Sequence, residues 1–146
     1  MQPLNGVNHI ALLTTDMDRF IRFYQEAFDA KVVADNPKHA GNEGERMVIM
    51  DLGGPSAFNV FQVPGNTQAS VQTPMYGRGR IDHFGLNASS REALEQVRQR
   101  LMRLGATDGT VTDFGRQLSV FFRDPDGLEA EVVWIKDAAA LADSNA

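Results

Sequence analysis

Three segments of this 146-residue chain match three later ones in the same order, and that internal repeat restricts its fold more than any other feature. Asn8-His9-Ile10-Ala11-Leu12 corresponds to Asp82-His83-Phe84-Gly85-Leu86, so the two histidines stand 74 positions apart. Each segment alternates in the manner of a strand. His9, Ala11 and Leu13 are expected on one face, and His83, Gly85 and Asn87 on the corresponding face. A helix is predicted after each strand. Thr15 or Asp16 suits the first cap, and Phe20, Phe23 and Ala27 form its apolar face. In the second half Ser89 to Glu92 spells a capping box, followed by the stripe Leu94, Val97, Leu101 and Leu104 and a stop at Gly105. A shift of 74 lays Phe20 on Leu94, Phe23 on Val97 and Ala27 on Leu101.

The end of each half aligns with an offset of 72. Met47 to Asp51 falls on Ser119 to Arg123. Leu52-Gly53-Gly54-Pro55 falls on the turn Asp124-Pro125-Asp126-Gly127, and Ala57 to Phe61 falls on Glu129 to Val133. The two-residue change fits an indel in a connecting loop. Each half therefore reads strand, helix and three strands, the last two joined by a tight turn. This predicts an α+β chain of two βαβββ modules in one structural domain. The first module spans residues 5–64 and the second 81–136. A Gly- and Pro-bearing linker occupies 65–80, and an alanine-rich tail, read as a weak helix or a frayed end, occupies 137–146.

Hydrophobic residues make up 42% of the chain, enough for a core. There is no cysteine, so a metal site must use nitrogen and oxygen ligands. The formal charge of -5 gives no general attraction to nucleic acid or anionic membrane. Arg78 and Arg80 make only a short basic patch, suited to a small anion. No apolar run reaches membrane-span length, and the opening residues lack a secretory pattern, so a cytoplasmic protein is expected.

One histidine on a strand is ordinarily unremarkable, but His9 and His83 occupy repeat-equivalent positions. The third histidine, His39, falls in an expected loop. On the final strand Glu129, Glu131 and Val133 share a face. Glu131 aligns with Asn59, whose neighbours Ala57 and Phe61 do not suit a solvent face, and an inward carboxylate requires a compensating cation. His9, His83 and Glu131 together make a two-histidine, one-carboxylate set for one divalent metal (Fe, Zn, Mn, Ni or Co) with positions left open. Two oxygens of a small substrate would fill those positions. Glu129 is read as an exposed strand end, and Arg46, Arg80 and Arg116 as solvated.

The paired strand-helix-three-strand units, the histidine opening each and the Asp124 to Gly127 turn before Glu131 resemble the vicinal oxygen chelate superfamily. That group includes glyoxalase I, extradiol dioxygenases and the fosfomycin and bleomycin resistance proteins. The resemblance covers about Val7 to Trp134. It implies an open U-shaped eight-stranded cup, closed within one chain or across a homodimer, with His9, His83 and Glu131 on three metal positions. Asn59 takes the fourth, as a weak ligand or substrate contact. Glyoxalase I has a glutamate there that helps move the proton, and Asn59 is no base. Extradiol dioxygenases carry an upstream histidine and a tyrosine where this chain has Thr112 to Arg116 and Phe121. No general base is assigned. The implied function is a metal-dependent lyase, isomerase or ring-cleaving dioxygenase, the alternative a non-catalytic binding or resistance protein of the same fold.

Overall fold

A computed structural model describes residues 1–136; the expected tail at 137–146 lies outside them. The chain divides into two compact units. Among the described residues, the first contains 1–72 and 125–127, the second 73–124 and those from 128 to 136. The division after Gln72 falls inside the expected linker.

The first unit runs β1 (His9–Leu13), α1 (Met17–Phe28), β2 (Lys31–Asn36), β3 (Arg46–Asp51) and β4 (Ala57–Gln62), with a short 3-10 turn at His39–Gly41. Its sheet has the order β1-β4-β3-β2. The β1–β4 pair is parallel and the other two are antiparallel. Asp16 caps α1 by accepting the Arg19 N–H at 3.0 Å. Asp29 ends it in the left-handed conformation, φ 56°. The buried stripe of α1 is Met17, Phe20, Phe23, Tyr24 and Ala27. Phe58 of β4 meets the Tyr24 ring edge-on at 5.1 Å and the Phe20 ring at 6.2 Å. Each such aromatic contributes about 2–3 kcal/mol by burial, with ring geometry adding about 1 kcal/mol per pair. This cluster therefore outweighs any hydrogen bond in the unit.

The second unit repeats the plan: β5 (Gly85–Asn87), α2 (Arg91–Arg103), β6 (Thr112–Asp113), β7 (Gln117–Arg123) and β8 (Glu129–Ile135), with sheet order β5-β8-β7-β6. The expected βαβββ pattern is present in both halves. Two details differ from expectation. The helix cap is Ser90, whose Oγ accepts the Ala93 N–H at 3.0 Å; Ser89 lies one residue too early for that bond. Leu94 and Leu101 are buried, whereas Leu104 is 38% exposed, because the helix ends there and Gly105 turns away with φ +66°. The core beneath α2 comprises Leu94, Leu101, Val120, Phe122, Ala130 and Val132.

The strand registers verify the two offsets. Ala11 pairs with Asn59 in the first unit, and Gly85 with Glu131 in the second. On β4, Phe58 and Val60 are buried while Asn59 is half-buried; on β8, Ala130 and Val132 are buried while Glu131 is half-buried. In each unit the face away from the helix thus carries the polar candidate.

Candidate functional site

In the second unit, His83 stands just before β5 rather than within it, a correction to the predicted strand 82–86. The ladder narrows there to one contact, the Glu131 N–H donating to the Phe84 carbonyl at 3.0 Å. His83 is consequently held by side chains. Its Nδ1 is 2.6 Å from Asp82 Oδ1. Its Nε2 is 3.5 Å from Glu131 Oε1. The other Glu131 oxygen, Oε2, accepts the Ser119 hydroxyl in a short hydrogen bond. The His83 ring also leans on Phe121, centroids 5.9 Å apart. Gly85 lies beside this pair, where a Cβ would lie 3.5 Å from Glu131 Cγ, in ordinary contact.

Asp82 is engaged on every side. Its Oδ2 accepts the Tyr76 N–H at 2.5 Å. Arg78 Nη1 lies 3.6 Å from Oδ1 and donates to the Asp82 carbonyl at 3.2 Å. The hydrogen bond from His83, then that from the Tyr76 N–H, with the Arg78 charge in support, holds the Asp82 carboxyl below the usual carboxylate range.

Glu129 departs from its expected role. Its side chain is only 18% exposed and pairs with Arg78 at 3.1 Å and Arg123 at 3.4 Å. The β8 pleat keeps the alternation through Glu129, so it shares the face of Glu131 instead of turning to solvent.

In the first unit, His9 opens β1 and is exposed. Its Nδ1 lies 2.8 Å from Asn8 Oδ1. The residue preceding each repeat histidine therefore engages the same ring nitrogen. Asn59 lies beside Ala11 and opposite Ile49. His39, in its short turn, packs on the Phe61 ring at 5.2 Å. Arg46, read as solvated, ion-pairs with Asp18 and Asp35, both at 2.7 Å.

The structure thus brings His83 and Glu131 together in one unit, while His9 and Asn59 belong to the other. Among the described residues, no group of three or more His, Asp or Glu side chains is gathered as a metal-holding set. The donor chemistry of the His83–Glu131 pair nonetheless suits a metal. A metal-ligating histidine characteristically engages its other ring nitrogen with a carboxylate or carbonyl, and a ligating carboxylate is itself hydrogen-bonded. Asp82 and Ser119 occupy those supporting places.

Sequence reasoning missed Asp82, Ser119 and Asp126. The first was readable as the polar residue preceding each repeat histidine, Asn8 or Asp82. Ser119 was readable from alternation, two residues before Phe121 on the Glu131 side. Asp126 belongs to the first unit, where its buried carboxylate accepts from Thr14 Oγ1 at 2.5 Å, Thr15 N at 3.0 Å, Thr15 Oγ1 at 2.7 Å and Arg19 Nη2 at 2.9 Å. No local signal links Asp126 to residues more than 100 positions earlier.

The chain belongs to the Glyoxalase/Bleomycin resistance protein/Dioxygenase superfamily, which it matches over residues 6–132. Solved structures carry the same fold. A glyoxylase/bleomycin resistance protein/dioxygenase domain from Frankia sp. EAN1pec is 22% identical with a TM-score of 0.76, over 91% of this chain and 99% of that one. A mutant of the fosfomycin resistance protein FosX from Listeria monocytogenes, complexed with Mn(II) and 1S,2S-dihydroxypropylphosphonic acid, is 17% identical with a TM-score of 0.65, over 91% and 94%. A lactoylglutathione lyase from Agrobacterium tumefaciens is 22% identical with a TM-score of 0.59, over 91% and 96%. At these identities the likenesses speak for the fold. No helix among the described residues is long and apolar enough to cross a membrane.

Proposed function

We propose that this protein is a metal-dependent enzyme of the glyoxalase/dioxygenase type, acting on a small substrate with adjacent oxygens. His9, His83 and Glu131 would hold one divalent ion (Fe, Zn, Mn, Ni or Co), with Asn59 as a substrate contact or weak fourth ligand. The observation that carries this is the His83–Glu131 pair, each member secured by its own supporting side chain. His9 joins on its repeat equivalence and on the matching engagement of its Nδ1 by Asn8. The FosX structure, which holds Mn(II) and 1S,2S-dihydroxypropylphosphonic acid, supports this reading. When bound, the ion would act as a Lewis acid on the substrate oxygens. His83 would offer Nε2 while its Nδ1–H donates to Asp82. Ser119 would orient Glu131 by donating to Oε2, leaving Oε1 on the His83 side. Phe121 lends the His83 ring an apolar flank and supplies no proton. Asn59, lacking an ionisable proton, favours binding over base catalysis at its position. A homodimer is consistent with the open sheet edges β1, β2, β5 and β6.

The direct test is metal content by elemental analysis of protein purified without a histidine tag, alongside His83→Ala. Near-stoichiometric metal in the wild type and its loss in the variant is the expected result. A wild type that folds, stays metal-free and still binds ligand would replace the enzyme with a non-catalytic binding protein. Incubation with Fe(II), air and a catechol panel tests one branch: a yellow ring-opened product selects the dioxygenase.

A further inference from the structure

The loop Thr73–Asp82 is wound around one guanidinium. Arg78 Nε donates to the Thr73 carbonyl at 2.6 Å, Nη1 to the Asp82 carbonyl at 3.2 Å, and Nη2 to Glu129 Oε2 at 3.1 Å. Its side chain is 14% exposed. Three acceptors in three directions specify a planar fork, which a lysine ammonium on a flexible stem cannot reproduce. Two of the three anchor the ends of the loop that presents Asp82 to His83. Tyr76, at the loop's crest with φ +68°, donates its N–H to the same carboxylate. Positive φ in a non-glycine residue is uncommon and indicates that the surroundings determine this conformation.

An ionised carboxylate only accepts hydrogen bonds. Of the two carboxylates beside the ring, Asp82 is at hydrogen-bonding distance from Nδ1, 2.6 Å, and Glu131 is farther from Nε2, 3.5 Å, so the geometry places the hydrogen of a neutral ring on Nδ1 and the lone pair on Nε2. The first unit has nothing comparable. Asn8, a neutral amide, engages His9 Nδ1, and the position equivalent to Arg78 is Leu4, which is exposed. We infer that Arg78 is a positioning residue for His83, acting through Asp82: it fixes the carboxylate that keeps the imidazole proton on Nδ1 and turns the Nε2 lone pair toward Glu131. The functional consequence rests on the assignment of His83 as a metal ligand; the proton placement does not.

Long-range proton–nitrogen NMR of uniformly 15N-labelled, metal-free protein at about pH 9, where imidazole is ordinarily neutral, reads the tautomer directly. Wild-type His83 is expected as the Nδ1–H form. Asp82→Ala and Arg78→Met are expected to move population to Nε2–H, with Arg78→Lys intermediate. In Zn(II) competition titrations, Asp82→Ala is expected to weaken binding by about 10- to 100-fold, and Arg78→Met by about tenfold. A wild-type ring protonated on Nε2 overturns the inference, and that measurement needs no variant. An Arg78→Met protein whose His83 tautomer matches wild type removes Arg78 from it, and Arg78→Lys serves the same purpose if the methionine variant does not fold. If wild-type protein fails to bind Zn(II) while the tautomer and its response to Arg78→Met are as expected, the brace stands and the metal assignment falls.

Discussion

The two modules share a topology and a strand register and differ in what they carry. The first is packed by aromatic rings, Phe20, Tyr24 and Phe58, and presents neutral polar groups, Asn8 and Asn59, beside and after its histidine. The second is packed mostly by aliphatic side chains and places Asp82 and Glu131 at the same positions. The helix side of each sheet is apolar in both copies but is filled differently, by rings in one and mostly by aliphatic chains in the other. The opposite side is where the copies have diverged in charge. A duplicated framework fixes where two side chains meet and leaves their chemistry free to differ.

The strongest challenge to this comparison exchanges core residues. Phe58 aligns with Ala130, so Phe58→Ala installs the second module's residue in the first. Phe58 is fully buried between two rings, and the substitution is expected to cost about 4 kcal/mol in urea unfolding. A loss below about 1 kcal/mol would mean that the two cores are equivalent after all.

Asp126 offers the next largest effect. Its carboxylate accepts from both Thr14 and Thr15 and pairs with Arg19, all in the first unit. Its side chain is 2% exposed, so Asp126→Ala strands those donors and is expected to destabilise by about 3 kcal/mol. The aligned turn position in the first module is Gly54, which has no side chain to act in this way.

At the candidate metal position the modules differ by one carboxylate, which can be removed from the second or added to the first. Glu131→Ala is expected to weaken Mn(II) binding by about 100-fold or more, at or beyond the loss of an outer-shell partner. Asn59→Glu supplies the first module with the second's carboxylate and is expected to tighten it by about tenfold, or 1.4 kcal/mol. Isothermal titration of both variants measures this, and an Asn59→Glu protein with wild-type affinity would detach Asn59 from the site.

The smallest effect concerns a pair confined to the first module. The Arg46 hydrogen bonds, at 3.0 and 2.7 Å, hold the Asp35 carboxyl below its ordinary range. The stability it contributes is thus present above the unfolded value of about 3.9 and is lost as pH falls through the lower folded value. Because Asp35 is 40% exposed, the contribution is about 0.5 kcal/mol. Asp35→Asn should lower Tm slightly at pH 7 and leave it unchanged near pH 2. An equal difference at both pH values would exclude charge as its origin.

Much of this protein was legible in sequence because its determinants are local or periodic. The offsets of 74 and 72 anticipated both modules and aligned Glu131 with Asn59, and strand alternation set Glu131 on one face with Glu129 and Val133. Capping chemistry was less certain at single-residue resolution. Asp16 was one of two candidates, while Ser90 rather than Ser89 caps the second helix, because the cap requires an extended backbone two to three residues before a free N–H. Glu129 went astray for a different reason: its surroundings depend on Arg78, 51 residues away.

The sequence alone determined that two copies of one βαβββ unit fold here and that each carries a histidine at the matching repeat position, since pattern period and repeat register are properties of the chain itself. Tertiary structure alone decided that a guanidinium would hold Asp82, that Ser119 would hold Glu131 and that Asp126 would cap the Thr14–Thr15 corner. Those contacts join residues 4 to 112 positions apart by direction and distance. Hydrogen bonds and ion pairs depend on both, whereas the apolar burial that sets the fold depends chiefly on area.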